Sequence, residues 1–223
     1  MKSKISPSMM CVPLLSLEST LRTFEQAGIE YLHMDVMDGS FVPNFMLGTD
    51  FIKQIRSLTS IPLDIHLMIA RPEDKLDWFD IKPGEYVSFH AEATVHAQSL
   101  CTRIREKGAK PMLALNPATT LAVLEDLLPD LDGVLLMGVN PGFAGQKLIP
   151  QTIDKIQRLR QMLDERGYPE MNIEIDGNTS EENVKKMRAA GADIFVGGTA
   201  GLFMKGYGLA ERISNFRACI DLI

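Results

Sequence analysis

The chain has 223 residues, 45% hydrophobic and 23% charged, with a net charge of −6. That composition suits a globular protein with a real core, and its acidic balance excludes a broad nucleic-acid footprint. No stretch approaches the ~20 apolar residues of a membrane helix, and the N-terminal MKSKISPSMM lacks the apolar run of a signal peptide.

In chain order the β-rich runs are KISPSMM (4–10), YLHMDVMD (31–38), PLDIHLMI (62–69), EYVSFHAE (85–92), KPMLALNP (110–117), GVLLMGVN (133–140), NIEIDGN (172–178) and DIFVGGTA (193–200). Longer stretches between them carry apolar residues at three- and four-residue spacing and read as helices. In 151–167, Ile153, Ile156, Leu159 and Leu163 form one stripe and Gly167 is a stop. In 180–191, Ser180 is an N-cap with Asn183 three residues on. Regular alternation implies a parallel sheet with helical crossovers, and eight units in this length predict one α/β domain over 1–223, a single (β/α)8 TIM barrel. An open doubly wound sheet is the runner-up, without a glycine fingerprint after its first strand. Cys11, Cys101 and Cys219 are odd in number and widely spread, as in reduced thiols of a cytoplasmic protein.

Barrel enzymes work at the C-terminal ends of their strands. His33, Asp35 and Met37 alternate along the second run and face one side. His66 falls late in the third run and Asp176 at the end of the seventh. Two imidazoles and two carboxylates at one barrel mouth predict one divalent metal ion, with zinc, iron(II), manganese and cobalt all compatible. Asp35 and Asp176 come from nearly opposite strands. A carboxylate on each face of a substrate suits proton removal on one side and return on the other. Met37, Met68 and Met137 fall at matching strand ends, where they would exclude water and strengthen local electrostatics.

Glycine-rich turns follow three strands: NPGFAGQ (140–146), Asp176-Gly177, and GGTAG (197–201). Glycines let backbone N–H groups approach an anion, so Gly177, Gly198 and Thr199, with Gly142 to Gly145 on the other side, predict a phosphate cradle. The loop at 140–146 is also a candidate lid.

These motifs resemble the ribulose-phosphate 3-epimerase family. The likeness runs through ISPSMM (5–10), HMDVMDGSFVPN (33–44), DIHLMI (64–69), FHAE (89–92), LNPAT (115–119), VNPGFAGQKLIP (139–150), IDGN (175–178) and GGTAGLF (197–203). It implies a (β/α)8 barrel that inverts C3 of a phosphorylated ketose through an enediolate. It implies metal ligands at His33, Asp35, His66 and Asp176, with Asp35 and Asp176 also the paired acid and base. It implies substrate contacts from Ser8 and from Met37, Met68 and Met137. Phosphate-loop contacts would come from Gly142, Phe143, Ala144, Gly145, Gly177, Gly198 and Thr199. It assigns no ligand role to His90 and none to His96. It also implies assembly as a homo-oligomer, with no nucleic-acid or membrane partner.

Asn178 stands where many pentulose-phosphate members have a second glycine, Thr199 where they often have serine, and Gly138 where they have serine or threonine. The FAGQ and GT-x-GLF forms look closer to the family's allulose 6-phosphate 3-epimerases, and Gly138 is expected to make room for a six-carbon sugar. A Schiff-base aldolase needs a strand-end lysine, whereas Lys4 and Lys110 stand at strand starts. A metal-dependent hydrolase would have to admit water past the methionines. An inactive sugar-phosphate sensor would not need the full catalytic set.

Overall fold

A computed structural model describes residues 3–221. Its strands are β1 (Lys4–Pro7), β2 (Leu32–Asp38), β3 (Phe45–Met46), β4 (Leu63–Met68), β5 (Tyr86–His90), β6 (Lys110–Leu115), β7 (Gly133–Met137), β8 (Asn172–Asp176) and β9 (Ile194–Gly197). They lie in the order β1-β9-β8-β7-β6-β5-β4-β2-β3. All pairs are parallel except the short β2–β3 hairpin. A parallel bridge between Ser8 and His33 joins the two ends of the ring, so eight strands close into the barrel that the alternation predicts. The eight sequence runs overlap these eight strands; β3 lies in what reads as loop.

Side-chain parity divides the barrel into two environments. Met34 and Val36 of β2, Ile65 and Leu67 of β4, Val87 and Phe89 of β5, and Ile173 and Ile175 of β8 belong to the main core beneath the helices. The opposite parity fills the interior, where Tyr86, Met112, Ala114, Leu135, Met137 and Ile194 form a separate cluster. Lys4 and Lys110 plug the strand-start end: Lys4 Nζ donates to Asn172 Oδ1 at 2.7 Å, and Lys110 Nζ lies 4.8 Å from the Tyr86 ring centre. Both are therefore far from the functional mouth, as their sequence positions imply.

Six α-helices are present among the described residues: α1 (Leu17–Gln26), α2 (Thr49–Leu58), α3 (Ala97–Glu106), α4 (Thr152–Glu165), α5 (Glu181–Ala189) and α6 (Leu209–Asp221). The stripe on α4 forms as expected, with Ile156, Leu159 and Leu163 fully buried; each such side chain contributes about 1.5–3 kcal/mol. Gly167 ends the helix at φ +85°, and the Ser180 hydroxyl caps α5 by accepting from the Asn183 N–H at 3.2 Å. Eight helices are expected, and two crossovers differ. Between β4 and β5 the chain makes 3-10 turns at Pro72–Asp74 and Leu76–Trp78, and between β6 and β7 at Leu121–Leu124 and Leu128–Asp130. Pro72 and Pro83 bracket the first crossover; Pro117 and Pro129 punctuate the second. Proline lacks an N–H and clashes with a preceding turn, which bars an α-helix from running through Pro72, Pro83, Pro117 or Pro129.

Candidate active site

Register places the polar residues of the mouth together. Along the β2–β4 pair, His33 stands opposite Asp64, Asp35 opposite His66, and Met37 opposite Met68. β8 lies three places from β2 around the ring, through β9 and β1, and brings Asp176 to the same point. His33 Nε2 is 3.3 Å from His66 Nδ1, 3.5 Å from Asp35 Oδ1 and 4.0 Å from Asp176 Oδ2. His66 Nδ1 is 3.9 Å from Asp35 Oδ1 and 3.8 Å from Asp176 Oδ2. Ligands at ~2.1 Å from a tetrahedral ion lie about 3.4 Å apart, so these four atoms fit one divalent cation.

His33, Asp64 and Glu174 also converge, but their geometry is that of hydrogen bonding. His33 Nδ1 donates to Asp64 Oδ2 at 2.7 Å, which is too close for two ligands of one ion. Asp64 Oδ2 also accepts from the Ser6 hydroxyl at 2.8 Å, and Glu174 Oε1 lies 3.3 Å from His33 Nδ1. The hydrogen bond from Nδ1 turns Nε2 toward the candidate metal position, where a cation would take the place of its proton.

Electrostatics follow from this packing. Burial opposes charging His33, but the carboxylates of Asp64 and Asp35 outweigh it and raise the ring well above its usual range. Burial, with His90 and His33 nearby, drives His66 well below the same range. Burial and then the charge of Asp64 push Glu174 well up. Burial and the neighbouring Asp35 push Asp176 up to about 7. Asp35 Oδ2 accepts a 2.6 Å hydrogen bond from the Ser8 hydroxyl, which leaves Oδ1 for the histidines.

A cleft opens above this floor. Ser8, Asp35 and Asp176 line its base, and Met37, Met68 and Met137 its wall. Met37 and Met68 pack with Val42, against which Met10, Phe41 and Met46 also rest. The far side is formed by Gly142, Phe143, Ala144 and Gly145 from the loop after β7, Gly177 after β8, and Gly198 and Thr199 after β9. The N–H groups of Gly201, Leu202 and Phe203 converge on the Gly198 carbonyl at 3.0–3.2 Å. Gly198, Thr199 and Ala200 line the cleft wall. Arg212 clamps this turn from behind, donating twice to the Gly201 carbonyl at 3.0 and 2.7 Å.

Three residues that depart from the family's pattern acquire physical roles. Gly138 opens no room for a longer sugar: a Cβ there would meet the Gly177 carbonyl at 2.6 Å and Leu148 at 3.1 Å. That space holds backbone, and the Gly138 N–H donates to the Asp176 carbonyl at 2.6 Å. Asn178 has φ +49°, in the left-handed region that asparagine tolerates better than most residues. Its side chain donates to the Gln146 carbonyl at 2.7 Å, which ties the β8 turn to the β7 loop. Gln146 in turn donates to the carbonyls of Asn140 and Phe143 at 2.6 and 2.9 Å. Thr199 lies on the wall of the cleft.

All the expected site residues thus gather at one barrel mouth, with His33 and His66 wholly buried beneath the cleft. Sequence reasoning missed Asp64, Glu174, His90 and Glu92, although Asp64 and Glu174 each stand two residues before a named ligand. Strand parity alone puts them in the interior. It also missed Cys11 in the cleft wall, whose thiol burial pushes up to about 11.

The fold and site define a metal-fitting barrel of an isomerase family. Residues 4–203 match the model of the ribulose-phosphate 3 epimerase family, to which the chain belongs. The chain is 39% identical over 197 residues to the ribulose-phosphate 3-epimerase of Bacillus subtilis, covering 88% of this chain and 91% of that protein. It is 40% identical over 215 residues to that of a Synechocystis species, covering 96% and 92%. Among solved structures it is similar to KGPDC from Streptococcus mutans, with TM-score 0.72 at 12% identity over 99% and 98% of the two chains. It is also similar to 3-hexulose-6-phosphate synthase from Salmonella typhimurium, with TM-score 0.68 at 15% identity over 98% and 99%. At such identity these two structures speak to the fold alone. No helix among the described residues is long and apolar enough to cross a membrane.

Proposed function

We propose that this chain is a metal-dependent epimerase acting at C3 of a phosphorylated ketose, working as a single barrel domain in the cytoplasm. The carrying observation is the convergence of Asp35 and Asp176, from β2 and β8, on one histidine pair. His33, Asp35, His66 and Asp176 would hold one divalent ion; when bound, it supplies a Lewis acid beside the oxygens on which charge builds. Zinc, iron(II), manganese and cobalt all suit the donor set.

Asp35, oriented by Ser8, takes the C3 proton from one face of the substrate. An enediolate results, because C3 lies next to the C2 carbonyl. Asp176, whose carboxyl is pushed up to about 7, returns a proton from the other face. Two carboxyls held at different proton affinities divide the roles of base and acid, and the roles exchange in the reverse direction. Met37, Met68 and Met137 keep water from the enediolate. The backbone of Gly177, Gly198 and Thr199 receives the phosphate, and residues 142–145 close over it.

D-ribulose 5-phosphate is the first substrate, as the names of the relatives suggest. D-allulose 6-phosphate is the second reading, suggested by Asn178, Thr199 and the FAGQ and GT-x-GLF forms of the loops. NMR in D₂O with each sugar separates them: deuterium enters C3 as the C3 epimer forms, faster for the preferred sugar. No exchange with either sugar under any of the four metals would return the site to hydrolysis or to binding without turnover.

A further inference from the structure

His90 and Glu92 take no part in that mechanism, yet they continue the cluster outward. The His90 ring is fully buried and meets His66 edge to edge, with centroids 5.0 Å apart and planes at 25°. Its Nε2 lies 2.9 Å from His66 Nε2, and its Nδ1 lies 3.3 Å from Glu92 Oε2. Glu92 Oε1 accepts from the Asn116 N–H at 3.0 Å and from the Thr119 hydroxyl. The chain of contacts therefore runs from the candidate metal centre to the barrel rim.

A hydrogen bond between two neutral imidazole nitrogens needs one N–H and one lone pair, so the tautomers of the two rings are locked together. The Glu92 carboxylate is acceptor-only and takes the proton of His90 Nδ1. His90 Nε2 then presents its lone pair, and His66 Nε2 must carry the hydrogen. Nδ1 of His66 is left with the lone pair that faces His33, Asp35 and Asp176.

We propose that Glu92 is a positioning residue for the metal centre, acting through His90 to hold His66 in the tautomer whose Nδ1 can bind a divalent cation. The relay changes no net charge; it selects between two arrangements of the same protons. The proposal rests on the reading of His33, Asp35, His66 and Asp176 as a metal site.

Glu92→Gln is the sharpest test because it conserves shape. The Asn116 N–H is a fixed donor and holds the amide oxygen at the Oε1 position. The amide NH₂ then faces His90 Nδ1 and donates to it. Both rings must reverse, and His66 Nδ1 acquires a hydrogen that blocks the cation. Competition with a chromophoric chelator for zinc and cobalt should give affinity about 10- to 100-fold weaker than wild type, as for other outer supports of metal-bound histidines. Turnover should return to within about threefold at saturating metal. Affinity equal to wild type overturns the proposal. Long-range ¹⁵N–¹H spectra of metal-free wild-type protein give a reading that needs no variant. His66 should carry its hydrogen on Nε2, and a hydrogen on Nδ1 would overturn the relay. A wild-type protein that binds neither cation defeats the metal centre itself, whereas binding by wild type and variant alike defeats only the role of Glu92.

Discussion

His33 and His66 stand on adjacent strands and face the same point, but they are held by opposite means. His33 is supported from below, directly by Asp64, with Ser6 and Glu174 behind it in the closed interior. His66 is supported sideways and at second hand, through His90 to Glu92, whose side chain is 27% exposed. The first support sets a carboxylate against the ring and raises its proton affinity; the second sets only a neutral imidazole there, and the ring stays low. A buried metal-facing histidine can thus be oriented by charge or by tautomer. The charge route couples the site to the stability of the core, and the tautomer route couples it to the rim loops.

Removing the carboxylates that both histidines serve gives the largest effect. Asp35→Asn and Asp176→Asn should each lower the C3 exchange rate by about 10²–10⁴-fold or more, since each removes a proton-transfer group; retention of more than a tenth of the wild-type rate in both would sink the acid–base pair.

Asp64→Ala attacks the deep support. It leaves the raised His33 without its carboxylate partner, and breaking a buried pair this way costs about 3–5 kcal/mol. Denaturant unfolding should register that loss together with weaker metal binding. Glu92→Gln attacks the relay, and its cost in stability should stay near 1 kcal/mol at neutral pH while metal affinity falls. Equal stability losses in the two variants would erase the contrast between the supports.

Acid sharpens the same contrast. Burial opposes ionisation of Glu92, but hydrogen bonds from His90, Thr119 and the Asn116 backbone outweigh it and hold the carboxyl down at about 2. A carboxyl depressed from the usual 4.5 contributes stability that is present above 4.5 and lost as pH falls through 2. The stability gap between wild type and Glu92→Gln should therefore close between pH 5 and 2; a gap that stays constant across that range would contradict it.

Phe143→Ala gives the smallest effect. Phe143 is 54% exposed on the loop after β7. Its removal should raise KM by about three- to tenfold, with unfolding and metal affinity unchanged. A change in metal affinity would place the loop in the histidine network.

Much of this was legible beforehand. His33, Asp35 and Met37 announced a functional face because inward parity in a barrel strand is otherwise apolar, and the glycine turns announced the cradle. The same parity marked Asp64, two residues before His66, and Glu174, two before Asp176, but a carboxyl that supports a ligand looks in sequence like any other carboxyl. His90 is not itself among the ligands the motifs imply, and its edge-to-edge contact with His66 depends on register between β4 and β5. Gly138 invited a reading as added space, while the Gly177 carbonyl occupies that space. The second crossover, LAVLEDLLPDL (121–131), has leucine spacing that resembles a helical stripe, yet it folds as two 3-10 turns.

The sequence by itself determined the barrel, the choice of strand ends that carry chemistry, and the ligand types. Each of these rests on local periodicity, and the side-chain period of a strand or helix is fixed by backbone geometry within a few residues. Only the tertiary structure decided which nitrogen of each histidine faces the site and which carboxyls are pushed up or held down. Those depend on hydrogen bonds between strands, whose partners are set by register and barrel closure across 24 to 58 residues of chain.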